Sequence, residues 1–349
     1  MAFDYKDKII TRLRESIDFE IYTPQDVICL LVDGKNVYLS MNKRSTFFLI
    51  GEEALSVYHD FCNIQESGEN SEADNTSREL ELLCSMDAIR IIFYSGYEND
   101  EATLYNKSEY IEKWKNPFPM YRRYRDDGGE QLLWPDTSSF EYKCFVAADL
   151  ALHLLGGVLP GQYLFRKGMD IETHLLTFNL TKKELLCLEA PQFYIRRTFP
   201  ILESFDEFTA VKLMAHRSPD SFLFDVYYMS KLHRSQTYNE AGEGHTEYRH
   251  VNIIALCSIN HNTLVDLRSQ WNYTTHLDEV KAVLKQIFSK SGVPKAIYVM
   301  NERTYELLSL LSNQLGFELY LQDPISDYLK LRGEFERQCL SLMESSSRN

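Results

Sequence analysis

The chain lacks most of the short signatures from which chemistry is read directly. It contains no HExxH, no GxSxG and no glycine-rich loop ending in GK[ST], so zinc-peptidase, serine-hydrolase and P-loop phosphate chemistry have no anchor in it. The stretch "AGEGHTEY" (241–248) carries two glycines but is followed by no helix whose N-terminus could receive a phosphate. Long apolar runs are also missing. No segment approaches the roughly eighteen uninterrupted apolar residues of a membrane span. The opening "MAFDYKDKIITRLRES" is charged where a signal peptide needs an apolar stretch. The expectation is a cytoplasmic protein without membrane contact. The seven cysteines (29, 62, 84, 144, 187, 257 and 339) are scattered and form no CxxC pair, and several sit in apolar runs such as "IIALCS". They read as buried, reduced thiols, not as a metal or redox centre.

Positive charge is scarce. Lys and Arg number 37 against 51 Asp and Glu, a formal net charge of -14. That balance argues against nucleic acid as a partner, because charge-driven binding needs clustered cations to displace counterions. The deficit is uneven: from Arg217 onward fourteen basic residues face sixteen acidic ones, which leaves -12 for the first 216 residues. Much of it lies in a polar, acidic stretch (63–78) too poor in apolar residues to offset its own ordering entropy. It reads as a solvated loop between two helices.

What the sequence does have is enough apolar material for two cores. Its 349 residues, 44% hydrophobic and 13% aromatic, exceed what one core usually supports. The fold class expected is α+β with an α/β-type second part: a mixed α+β domain over 1–216 and a mixed sheet with flanking helices over 217–349. In the first part a helix is expected over 4–17, with Ile9, Ile10, Leu13 and Ile17 on one side. Asp33-Gly34-Lys35 reads as a hairpin turn, since Asp and Gly tolerate positive φ. "STFFLIG" and "AIRIIFYSG" read as strands, and "EEALSVYHDFC" as a helix. "NPFPMYRRYRDDGGEQLLWPD" (116–136) is expected to be an ordered loop with little regular structure. "YKCFVAADLALHLLGG" has Phe145, Ala148, Leu152 and Leu155 at helical spacing and two closing glycines. "QYLFR", "HLLTFNL" and "QFYIRR" read as strands, and "SFDEFTAVKLMAHR" as a helix.

The second part has a cleaner order. "SFLFDVYYMSKL", "HVNIIALCS" and "NTLVDLRS" read as strands. "THLDEVKAVLKQIFSKSG" is a helix closed by Gly292, "KAIYVM" a strand, "ERTYELLSLLSNQLG" a helix closed by Gly316, "FELYL" a strand, and "SDYLKLRGEFERQCLSLM" a final helix. The sequence β-β-β-α-β-α-β-α is the order of the ribonuclease H-like fold, in which the fourth strand lies beside the first.

Within that order "GVPKAIYVMN" resembles the stretch of integrases and transposases in which Gly-x-Pro precedes the fourth strand and a metal-binding aspartate follows it. Nucleases of that fold hold two divalent ions with carboxylates on the first strand, after the fourth strand and on the last helix. The candidates here are Asp225 on the first strand, Asn301 or Glu302 after the fourth, and Glu334 or Glu336 on the last helix. Asn301 is neutral, and losing a full charge beside a divalent ion costs several kcal/mol even at a generous effective dielectric. Glu302 falls one residue later, where a helix has begun and its side chain points elsewhere. Asparagine at such a corner is also a good helix cap. It would accept a hydrogen bond from the first turn and leave Arg303 and Glu306 on the solvated side. Asp225 alone is equally explained as a strand residue on a solvated face or paired with a neighbouring arginine. Glu334 and Glu336 fit a solvated helix face beside Arg332 and Arg337.

"PMYRRYRDDGGEQLLWPD" followed by "FVAADLALHLL", together with "FLFDVYYMS" and "GVPKAIYVMNERTYELLSLLSNQLGFEL", resembles a family of uncharacterised bacterial two-domain proteins. In these a degenerate ribonuclease H-like domain follows an N-terminal α+β domain. The resemblance implies architecture and no activity. A separate ligand candidate is "YRRYR": Arg122, Arg123 and Arg125 between Tyr121 and Tyr124 could bind phosphate or carboxylate while the rings stack, or pair with Asp126, Asp127 and the acidic loop. His233, His245 and His250 match no common metal spacing and read as loop and strand histidines. Two function classes follow. One is a non-catalytic binding or regulatory protein whose partner is a protein or small ligand, with no cofactor. The other is a metal-dependent phosphodiester-cleaving enzyme with an altered carboxylate site, which would need magnesium or manganese.

Overall fold

The computed structural model describes residues 26–42, 45–67, 79, 82–94, 118–124, 138–190, 199–238, 244–259, 263–270, 277–322, 328 and 330–338. The expected helix at 4–17, the strand at "QFYIRR" and residues 68–78 of the acidic stretch lie outside them. The fold is mixed α+β with two mixed sheets. The chain divides into two compact units, Met1–Glu69 with Leu82–Ile195 and Gln236–Tyr248, and Asn70–Glu81 with Arg196–Ser235 and Arg249–Asn349.

The first unit is built on β1 (Val27–Val32), β2 (Lys35–Asn42), β3 (Ser45–Ile50), β4 (Ala88–Tyr94), β5 (Phe118–Tyr124), β6 (His174–Asn179) and β7 (Glu184–Glu189). They form one sheet in the order β5-β4-β3-β2-β1-β6-β7, antiparallel except where β1 and β6 run parallel. Asp33 and Gly34 have φ of 48° and 78°, the left-handed pair that a two-residue hairpin needs to match strand twist. Alternation along the strands decides which side chains meet which helix. Phe48 points to α2 (Phe140–Leu155) and meets Phe145 edge-on at 5.1 Å. Its neighbour Phe47 points the other way and packs on Tyr58 and Phe61 of α1 (Glu52–Ser67).

Four local expectations change here. "QYLFR" is not a strand but part of α3 (Pro160–Arg166). Proline at the first helical turn is pre-set for helix and loses no needed hydrogen bond there, and five residues are too few for a period of two to outweigh that. Residues 118–124, expected in an irregular loop, are β5, paired along its length with β4; it is the terminal strand of the sheet, where Pro119 costs no ladder bond. Residues 63–67, expected in the acidic loop, are the last turn of α1. Strand β7, "ELLCLE", was not anticipated.

The second unit contains α4 (Glu207–Met214), β8 (Ser221–Tyr238) and β9 (Gly244–Ser258) except for their residues within Gln236–Tyr248, β10 (Thr263–Gln270), α5 (Leu277–Ser291), β11 (Ala296–Val299), α6 (Glu302–Leu315), β12 (Glu318–Leu321) and a terminal helix, α7, described at 328 and 330–338. The sheet order is β10-β9-β8-β11-β12. β11 runs parallel to β8, with Ala296 opposite Ser221, and parallel to β12 on its other side. The expected neighbourhood of 296–300 and 222–230 is therefore present. Phe222, Phe224 and Val226 of β8 face a core shared with Leu284 and Phe288 of α5 and Leu307, Leu308 and Leu311 of α6. The sequence reading divided the chain at 216/217, whereas the second unit, besides Asn70–Glu81, takes in the chain from Arg196. The reason is packing: Leu202, Phe205 and Leu213 belong to the same core, and Gln314 fixes Phe205 by accepting from its N–H at 2.7 Å and donating to its carbonyl at 2.6 Å.

Candidate functional site

Strand alternation puts Leu223, Asp225 and Tyr227 on the face of β8 opposite the core just described. Apolar packing covers that face: Leu223 and Cys257 cluster with Tyr328 and Phe335, and Tyr298, Met300 and Leu331 pack around them. Asp225 is 0% exposed in this setting. A bare carboxylate there would cost far more than folding can supply, so its partners determine what it can do.

Those partners come largely from the last helix. The Tyr328 hydroxyl donates to Asp225 Oδ2 at 2.9 Å, and Arg332 Nη1 lies 3.8 Å from the same oxygen. Arg332 Nε is 3.8 Å from Glu336 Oε1. Tyr328, Arg332 and Glu336 are spaced by four, so one helical face presents all three. The Arg332 guanidinium also sits 3.6 Å from the centre of the Tyr227 ring, a cation–π contact that holds it against the sheet. From the start of α6, Arg303 donates through Nη1 to the Tyr228 hydroxyl at 2.8 Å and lies over that ring at 4.6 Å. Burial pushes the Asp225 carboxyl above its ordinary value; Arg332, the Tyr328 hydroxyl and Arg303 pull in the opposite direction without cancelling it. Burial, followed by the charge of Asp225, likewise raises Tyr328 and moves the Cys257 thiol to about 11. Among the described residues Asp225 Oδ1 has no hydrogen-bond partner.

The candidate residues thus separate. Asp225 and Glu336 share one arginine. Asn301 caps α6, its side-chain oxygen accepting from the Thr304 N–H at 2.7 Å. Glu302 and Glu334 are exposed, with no described contact to Asp225. Arg303, expected on the solvated side, is 4% exposed, and Glu306 is half-buried. The second residue of a helix that follows a buried strand can turn back over the sheet, and here Tyr228 receives it. Sequence reasoning missed Tyr227, Tyr228, Arg303 and Tyr328. The available signal was the Tyr-Tyr pair following Asp225 and the four-residue spacing of Tyr328, Arg332 and Glu336.

This arrangement does not fit the two divalent ions expected from the sequence resemblance. Metal ligands must be deprotonated, whereas burial favours the protonated form of Asp225. The oxygen nearest the last helix already faces a hydroxyl and a guanidinium. The corner after β11 offers a neutral amide engaged in capping. Among the described residues no group of three or more His, Cys, Asp and Glu side chains is placed to hold a metal ion. His250 is buried, its Nδ1 2.8 Å from the Met229 carbonyl.

In the first unit Tyr121 to Tyr124 of "YRRYR" lie in β5. Arg123 pairs with Asp87 and lies 3.8 Å from Glu141, and it donates to the Tyr124 carbonyl at 2.9 Å. Arg122 and Tyr124 are buried. Arg125 and the Tyr121 side chain lie outside the described residues. Five of the six described cysteines are buried and none of the six forms a disulfide; burial raises Cys29 and Cys144 to about 12, which leaves them poor nucleophiles.

Among the described residues no single helix is long and apolar enough to cross a membrane; α2 and α3 pass on composition only as a pair bent by 47°. No family profile matches the chain, and no curated protein matches it.

Proposed function

We propose that this protein is a non-catalytic binding or regulatory protein built on a degenerate ribonuclease H-like scaffold. The order β10-β9-β8-β11-β12, with parallel pairing of β11 to both neighbours, supports that scaffold, as do helices following β10, β11 and β12. One observation carries the functional reading. The carboxylate on the first strand meets the Tyr328 hydroxyl and the Arg332 guanidinium through Oδ2, and both compete for that oxygen with the metal ion that two-metal catalysis needs there. The net charge of -14 favours a protein or small ligand over nucleic acid as the partner, in the cytoplasm and without a cofactor.

The test is incubation of the purified protein with single- and double-stranded DNA and RNA in magnesium or manganese, alongside Asp225→Ala. No cleavage above a buffer control is expected from either. Metal-dependent cleavage by the wild type that disappears in Asp225→Ala would move the protein to the phosphodiester-cleaving class.

A further inference from the structure

We infer that Arg90 and Arg122, cross-strand neighbours on one face of the first unit's sheet, form a binding site for a phosphate group. The inference concerns the first unit and stands apart from the ribonuclease H-like reading of the second, so the outcome of the nuclease test leaves it untouched.

Strand register sets the pair. Arg90 of β4 lies directly opposite Arg122 of β5, and Phe47 of β3 lies opposite Arg90 on its other side, so the three side chains share the face that carries α1. Arg123 points the other way, to Asp87 and Glu141. Residues directly opposite have Cβ atoms about 5 Å apart, and like charges there repel. Arg90 nevertheless meets only neutral groups. Its Nε and Nη2 donate to Ser45 Oγ at 3.2 and 3.1 Å, and its guanidinium lies over the Phe47 and Phe61 rings at 4.9 and 6.0 Å. The hydroxyl and the rings hold the group in place without a countercharge. Acids are abundant in the first 216 residues, whose formal charge is -12, yet none of the described ones pairs with Arg90. What Ser45 leaves over is the Nη1–Nη2 end of the guanidinium, an edge through which arginine makes paired bonds to an oxyanion. Arg90 is half-buried and Arg122 is buried, so water screens their charges incompletely. Two guanidiniums side by side match the charge of a phosphate dianion, whereas a carboxylate needs only one.

The experiment compares thermal unfolding of the full-length wild type with that of Arg90→Gln and of Arg166→Gln, which removes the same charge from an exposed position on α3. Each protein is measured in millimolar sodium phosphate, in millimolar glycerol 3-phosphate and in sodium chloride of equal ionic strength. Inorganic phosphate should raise the Tm of the wild type and of Arg166→Gln by about 3 °C over chloride, the shift expected when a site is saturated roughly tenfold. Arg90→Gln should not move. A matching shift with glycerol 3-phosphate assigns the site to the head of a phosphate ester, and a shift with inorganic phosphate alone assigns it to the free ion. No shift of the wild type in inorganic phosphate, or the same shift in Arg90→Gln, would overturn the inference. Should Arg90→Gln fail to fold, Arg90→Lys keeps the charge and loses the fork: a smaller shift than that of the wild type supports the inference, and an equal one overturns it.

Discussion

Asp225 shows how much one residue's chemistry depends on its surroundings. Its carboxyl is raised above the ordinary value of 3.8, with burial the largest cause, so the folded protein holds the proton more tightly than the unfolded chain does. The associated stability is fully present below the ordinary value and is lost as pH rises through the raised one. Compared with Asp225→Asn, the wild type should therefore lose Tm as the pH climbs from 3.8, with the difference levelling off once the carboxyl is ionised. A difference that grows in the wild type's favour over that range would show that Arg332 and Tyr328 outweigh burial. Asn301 gives a simpler case. Its side chain accepts one bond from the first turn of α6, and Asn301→Ala should cost about 1 kcal/mol in chemical denaturation. Asn301→Asp should be close to neutral, because an aspartate caps as well and its charge suits a helix N-terminus.

At the scale of elements, endings matter more than middles. Gly34 and Gly292 both have positive φ, 78° and 83°, yet they differ in what surrounds them. A Cβ on Gly34 would meet nothing, whereas one on Gly292 would come within 2.8 Å of the Ser218 backbone nitrogen and 2.9 Å of the Arg217 carbonyl carbon. The close approach exists because the chain leaving α5 pairs there: the Val293 N–H donates to His216 at 2.8 Å and the Ser218 N–H to Val293 at 2.9 Å. Gly34→Ala should cost about 1 kcal/mol, the conformational term alone. Gly292→Ala should cost clearly more, since backbone must move as well. Urea unfolding of the two variants checks the order, and equal costs would mean that this junction is soft. The terminal helix shows the same dependence on context: its sequence alone gives an amphipathic helix, and its effect on Asp225 arises from the face that carries Tyr328 and Arg332.

For the whole molecule, the imbalance of 37 basic against 51 acidic residues sets the expectation for partners. At about 0.15 M salt, where charges beyond roughly 8 Å are screened, the protein should retain neither single- nor double-stranded DNA in a filter-binding assay. Retention that falls steeply with added salt would reveal a local cationic surface strong enough to override the net charge.

The sequence by itself determined the elements of the second unit: three strands, then helix, strand, helix, strand and helix, with Asn301 starting α6 and glycines ending α5 and α6. These follow from periodicity, capping and turn chemistry, which depend on residues within a few positions of each other. It also made the contact of β11 with β8 foreseeable, through the rules for crossover connections. Local pattern was weakest where it was short, as in α3, or where a terminal strand tolerated proline and arginine, as in β5. Only the tertiary structure decided the state of Asp225. A strand aspartate reads the same whether it faces solvent, a metal or an arginine. Its raised carboxyl and its contacts depend on burial and on Tyr328 and Arg332, which the chain brings to it only after four further strands of the sheet have been laid down.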